Sequence, residues 1–272
     1  MQDPHRFVND LDAEAHEKLI ARLESRARDP IFSKLLDKYL NALDLKPATD
    51  VLEIGCGTGV VLRSLVRKFK ITGKAYGIDQ CASFIDAATD LIEVERLSDR
   101  ATFQVGDVHN IEFPDETFDV VIAHTLISHV TEPLKVLSEI SRVLKKGGVA
   151  VIFDGDYTSL TYGYPDHSFG RKMDAALASC TFNNPLIMRD LPRLFGDFGL
   201  EMIDAWGDAV VEIGKGSYFK TFADTYVPYV RDAQLFAPQA VDIWQDEQRK
   251  AMEDGEFFAA CNYYSYIVRQ VE

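Results

Sequence analysis

Glu53 stands two residues ahead of Gly55 in the run Val51-Leu52-Glu53-Ile54-Gly55-Cys56-Gly57-Thr58-Gly59. Glycines at alternate positions force a tight turn, because a residue without a Cβ adopts positive φ and lets a ligand approach the backbone closely. A carboxylate just before such a turn repels a pyrophosphate and attracts a cation, either an ammonium or a sulfonium. The spacing is G-x-G-x-G, and the last glycine of the dinucleotide pattern G-x-G-x-x-G is replaced by Val60. Asp79 lies about twenty residues beyond the turn, the spacing at which a strand-end acid binds ribose hydroxyls in nucleotide folds. It can equally cap the helix that follows. Gln80 then sits beside the nucleoside. His124 closes a fourth strand, and an imidazole titrating near neutrality there is a candidate general base, with His167 behind it as a second. Asp154 and Asp156 follow a fifth strand, but two carboxylates do not complete a coordination shell, so no metal is expected. Asp156 and Tyr157, with Tyr162 and Arg171 in the next loop and helix start, are expected to contact a substrate.

These residues must be carried by alternating strands and helices. Residues 51–54 form a short apolar strand and residues 60–69 a helix with Val61, Leu62, Leu65, Val66 and Phe69 at helical spacing. Further strands are expected at 74–78, 101–105, 120–123, 149–153, 201–213 and 257–271, with helices at 82–97, 134–144 and 191–198. Ahead of them lie two helices, one over residues 11–25 and one starting at Asp29-Pro30, a cap followed by a proline suited to the first helical turn. Residues 214–255 form an aromatic, helical insertion containing Tyr218, Phe222, Tyr226 and Trp244. It either packs on itself or covers an apolar small molecule.

Of 272 residues, 47% are hydrophobic and 26% charged, the mix of a globular protein. A formal net charge of -14 argues against a phosphate-tracking nucleic-acid binder. The four cysteines, Cys56, Cys81, Cys180 and Cys261, are far apart and suggest neither a zinc site nor a disulfide framework. No apolar run suits a signal peptide or a bilayer span. A cytoplasmic protein, with no nucleic-acid or membrane partner, is the expectation.

The acid followed by G-x-G-x-G on a strand-to-helix turn resembles the first motif of the class I S-adenosylmethionine (SAM)-dependent methyltransferases. Phe113-Pro114-Asp115-Glu116-Thr117-Phe118-Asp119 and Arg142-Val143-Leu144-Lys145-Lys146-Gly147-Gly148 are similar to later family motifs. The resemblance covers residues 46–153 and points to the small-molecule, ubiquinone/menaquinone-methyltransferase-like branch. It implies an α/β fold with a Rossmann-like, doubly wound seven-stranded sheet of order 3-2-1-4-5-7-6, strand seven antiparallel. It also implies an N-terminal helical lid (1–45), a SAM-binding core (46–213 and 256–272) and a helical cap insertion (214–255) within the same domain.

The cofactor implied is SAM, leaving as S-adenosylhomocysteine (SAH). Glu53, Gly55, Cys56, Gly57, Thr58 and Gly59 would surround its methionyl part, with Arg26 on the carboxylate. Asp79 and Gln80 would hold the ribose, and Asp107 and Val108 the adenine, although Asp107 after Gly106 also suits a turn cap. His124 and His129 would wall the pocket, and Tyr218 and Phe222 of the cap would meet the acceptor. The activity implied is methyl transfer to an O-, N- or C-nucleophile of a small organic acceptor, in secondary or cofactor metabolism, by a monomer or homodimer. The alternatives are a SAM-binding enzyme that does not methylate, of cyclase type, and a nucleotide-binding oxidoreductase.

Overall fold

The computed structural model describes residues 13–271. Its strands are β1 Val51–Ile54, β2 Ala75–Asp79, β3 Thr102–Val105, β4 Phe118–His124, β5 Leu144–Tyr162, β6 Leu200–Gly214 and β7 Phe257–Gln270. They form one sheet in the order β3-β2-β1-β4-β5-β7-β6. The first five pair in parallel, and β7 runs antiparallel between β5 and β6. This is the sheet the sequence implied.

Side chains alternate across a strand, so consecutive residues serve opposite faces. Val51, Val120, Ile122, Val151 and Phe153 enter one apolar cluster, with α2 (Pro30–Ala42) and α3 (Val60–Lys68) over it. Leu52, Ile54, Val121, Ala150 and Ile152 enter the other, beneath α5 (Pro133–Val143) and α7 (Ile187–Leu194). Glu53 and His124 fall in phase with the first face. Strand order reverses at β1, whose neighbours are β2 and β4. Ligands of open α/β sheets sit beyond the strands' carboxyl ends at such a point.

The N-terminal helices are α1 (Ala13–Arg28) and α2; residues 1–12, which include the start of the expected first helix and lid, lie outside the described residues. Asp29 accepts the Ile31 N–H at 2.9 Å and caps α2 as expected. Leu19 of α1 packs with Cys81 and Phe84 at the start of α4 (Ala82–Val94).

Several expected element ends need correction: β5 starts at Leu144 and α4 ends at Val94, and two further differences bear on the site. β5 does not stop at Phe153, because β7 pairs with it through Asp156 and, after an irregularity, again at Thr161 and Tyr162. The expected loop after strand five is therefore strand as far as Tyr162, followed by α6 (His167–Thr181). The helix expected at 191–198 starts four residues earlier, because Ile187, Met188 and Leu191 all bury, and its end tightens into a 3-10 turn, Phe195–Phe198.

Between β6 and β7 lie α8 (Tyr218–Asp232) and α9 (Pro238–Asp254). Buried Glu212 starts α8. Its Oε1 accepts the Ser217 and Tyr218 N–H groups at 2.8 and 2.9 Å, and its Oε2 accepts Phe219 N–H at 3.0 Å. A carboxylate there satisfies orphan donors and complements the helix dipole. Trp244 of α9 is fully buried against Tyr162. Among the described residues no helix is long and apolar enough to cross a membrane.

Candidate cofactor and acceptor site

The glycine turn is built as its spacing requires. Gly55, Gly57 and Gly59 have φ of 64°, 52° and 72°. A Cβ on Gly55 would stand 2.5 Å from Leu126, and one on Gly57 3.2 Å from Leu23. Asp79 ties the turn to α4: Oδ2 accepts Gly57 N–H at 2.9 Å and Oδ1 accepts Cys81 N–H at 3.0 Å. The Gln80 backbone N–H bonds the same carboxylate, and of its roughly four acceptor sites one is left for a hydroxyl. The two readings of Asp79, helix start and ribose acceptor, are thus compatible.

Glu53 is 2% exposed and accepts Leu62 N–H at 3.0 Å, at the start of α3. Burial, with the Asp79 charge nearby, pushes its carboxyl up to about 8 despite that bond and Arg63. A cation arriving beside it would restore the ionised form. Cys56 lies next to it with its thiol pushed well above the usual range by burial, so it is a wall rather than a nucleophile.

A cavity of about 390 Å³ extends from this turn. Arg26, Glu53, Gly55, Cys56, Gly57 and Thr58 line it, and so do Asp79, Gln80, Asp107, Val108, His124 and His129. Tyr157, Tyr218 and Phe222 line its far side. Gly59 does not. It precedes α3 with its Cα against the Phe103 ring, where a Cβ would collide, and it shapes the turn from behind.

Asp107 Oδ1 accepts the backbone N–H of His109 at 2.8 Å and faces that ring's Nδ1 at 2.8 Å. Burial works to raise its carboxyl, but these bonds hold it below the usual range. The turn-cap alternative is thus realised in a residue that also lines the cavity.

Asp156, Tyr162, His167 and Arg171 are not brought to the cavity. Asp156, 1% exposed, is engaged by Arg189 at 2.7 Å and by the Thr158 hydroxyl at 2.7 Å. Tyr162 donates to the Phe219 carbonyl at 2.9 Å and anchors the cap instead of a substrate. His167 and Arg171 are exposed on α6, beside a separate depression with Tyr164 and Asp174. Asp156 points to the opposite face of β5 from its cavity-lining neighbour Tyr157, Tyr162 lies at the far end of that strand, and His167 and Arg171 follow on α6.

His124 lies at the β4 end with its ring stacked on Phe153 at 4.7 Å and its Nδ1 2.8 Å from the Tyr39 hydroxyl. Tyr39 is fully buried, and burial keeps its phenol protonated. A buried O–H needs an acceptor, and Nδ1 is the one the structure gives it. Tyr39 therefore donates, and the neutral ring carries its proton on Nε2. Burial, with Arg26 adding to it, holds the imidazole well below its usual pKa. His124 is thus an N–H donor in this arrangement, the opposite tautomer from the one a general base needs.

Sequence reasoning did not single out several members of the wall, Arg22, Thr125, Phe182 and Tyr226 among them. Arg22 and Arg26 are four apart on α1, and Tyr226 continues the Tyr218 and Phe222 stripe on α8; both were legible as i, i+4 spacings. Thr125 and Phe182 carried no such signal. Thr125 has φ 50°, a left-handed strand end, and its hydroxyl accepts from Arg26 Nη2 at 2.8 Å. Phe182 stacks on Tyr157 with centroids 3.4 Å apart.

With this geometry the comparisons agree. Residues 52–152 match the family model described as Methyltransferase domain. That stretch, which holds the glycine turn, Asp79 and Asp107, is similar to methyltransferase domains. It is 39% identical over 102 residues to the phosphatidylethanolamine N-methyltransferase of Cereibacter sphaeroides, covering 38% of this chain and 48% of that one. It is 34% identical over 113 residues to the sterol 24-C-methyltransferase of Yarrowia lipolytica, covering 41% and 29%. A Bacillus halodurans protein of solved structure shares the fold with a TM-score of 0.64 at 19% identity, over 87% of this chain and 99% of that one. The matches span less than half the length of these two curated relatives.

Proposed function

We propose that this chain transfers the methyl group of SAM to a small organic acceptor with an apolar body. The observation that carries the reading is the single cavity that joins the glycine turn to an aromatic wall of Tyr157, Phe182, Tyr218, Phe222 and Tyr226. The residues fit the cofactor. Positive-φ glycines leave room where a Cβ would stand, Glu53 answers the ammonium, Asp79 keeps an acceptor site for a ribose hydroxyl, and Arg26 answers the carboxylate. Asp107 and the Val108 N–H serve the adenine. When bound, SAM supplies a methyl carbon already activated on a sulfonium sulfur.

The chain's own task is alignment and exclusion of water. Tyr157 is fixed by its hydroxyl, which donates to buried Asp154 Oδ1 at 3.2 Å, and by its stack on Phe182. Asp154 Oδ2 also accepts Ser128 N–H at 3.0 Å, so the segment after β4 and the aromatic wall are set together. His124, as a donor, orients a polar atom of the acceptor. Both curated relatives described above are named for substrates with large apolar bodies, which supports an apolar acceptor. Helices 1–45 as lid and 214–255 as cap, over the core of 46–213 and 256–272, belong to this reading, as does a place in secondary or cofactor metabolism.

The test is SAH release from SAM with a panel of phenols, aromatic amines and aromatic acids. Acceptor-dependent release, reduced about tenfold or more by Phe222→Ala, is expected. Conversion of an acceptor without SAH release would favour the cyclase-type alternative, and nicotinamide oxidation an oxidoreductase.

A further inference from the structure

Two guanidinium groups face the cavity from α1, and they are not equivalent. Arg26 bonds the Thr125 hydroxyl beside the glycine turn, where the cofactor's carboxylate is expected. Arg22 lies one turn earlier, on the aromatic side. Its guanidinium carbon lies 4.4 Å from the Tyr226 ring centroid and 5.6 Å from that of Phe222, and Nη1 donates to the Tyr226 hydroxyl.

Among the described residues Arg22 has no carboxylate partner. The nearby acids on α1 and at the cap are committed elsewhere. Glu24 is engaged by Arg63 at 2.5 Å and Thr58 at 2.7 Å, and Asp29 by the α2 cap and Ser217. Glu212 is taken up by the start of α8. A part-buried cation against aromatic faces, with one neutral hydroxyl for a partner, leaves most of its five donors for a ligand. A planar fork of that kind binds a carboxylate or phosphate through parallel charge-assisted bonds.

We propose that the methyl acceptor is an oxyanion carried on an aromatic body, and that Arg22 binds its anionic group while Phe222 and Tyr226 hold the ring. Arg22 is then a specificity-determining residue. This rests on the acceptor reading of the cavity given above.

The test uses the full chain loaded with SAH, titrated with 2-naphthoate, 2-naphthyl phosphate, 2-naphthamide and 2-naphthylmethylammonium. Saturation with SAH is established first; failure there refutes the methyltransferase reading rather than the role of Arg22. With SAH bound, one of the two anions is expected to bind about tenfold tighter than the neutral amide, and the preferred anion separates a carboxylate from a phosphate acceptor. Arg22→Met should abolish that preference while SAH affinity, the folding control, holds, and Arg22→Lys should retain part of it. Equal or tighter binding of the amide or the ammonium, no binding of any probe, or an anion preference that survives Arg22→Met would overturn the proposal.

Discussion

Glu53 is a carboxylate held out of water, and its proton is the clearest signature of the site. Its folded carboxyl sits at about 8, against an ordinary value of 4.5. The folded pKa is the higher one, so its stabilising contribution is full below about 4.5 and is lost as pH rises through about 8. The cofactor-free protein should therefore lose melting temperature across that window, and Glu53→Gln should flatten this component. Binding of the cofactor's ammonium requires the ionised form, so SAM affinity should rise with pH up to about 8. Titration calorimetry near neutrality in two buffers of different ionisation enthalpy should show proton release, absent in Glu53→Gln. Tyr39 makes the second prediction at this scale. Tyr39→Phe leaves Nδ1 of His124 without its partner, with an expected loss of about 1–3 kcal/mol in denaturant unfolding. At this scale the sequence displayed what local spacing encodes: the acid before the turn, the glycines, and Asp79. It hid what distant partners decide. Asp156 looked like a substrate contact until Arg189, thirty-three residues on, took its charge, and His124 looked like a base until Tyr39, eighty-five residues back, fixed its tautomer.

At the scale of elements, α1 is fastened over the site by side chains rather than by a deep apolar face. Among its described residues Leu19 is the one that is buried, and Glu24 joins the helix to Thr58 at the turn and Arg63 on α3. Glu24→Ala should leave Arg63 short of a partner and loosen the helix. Limited proteolysis should then cut within α1 sooner than in the wild type, and SAH should slow the cut. The cap has a comparable fixing point in Glu212, and Glu212→Ala should cost about 1–2 kcal/mol of stability, read by denaturant unfolding. That the 214–255 stretch forms helices was legible from its aromatic periodicity. The face expected to meet the acceptor, Tyr218 and Phe222, lines the cavity together with Tyr226, while Phe219 and Val230 bury into the core. The run of β5 beyond Phe153 was hidden: a strand continues as long as a partner pairs with it, and β7 lies a hundred residues away in the chain.

At the scale of the whole molecule, one sheet reverses its strand order at β1 and gathers Glu53, Asp79 and His124 along a single edge. The order itself was implied by the family resemblance that motifs spread over residues 46–153 carry. The acceptor was not, since its wall is assembled from α1, β5, α8 and the segment before α7, parts that meet only in the fold. The central claim is that this edge binds SAM. Its most direct test is calorimetric titration of the full chain with SAM, SAH and NAD, beside Asp79→Ala. SAM and SAH should bind with one-to-one stoichiometry, NAD should not, and the variant should lose about tenfold to about a hundredfold in affinity for both. Binding of NAD in place of SAM, or SAM affinity unchanged in Asp79→Ala, would contradict the assignment.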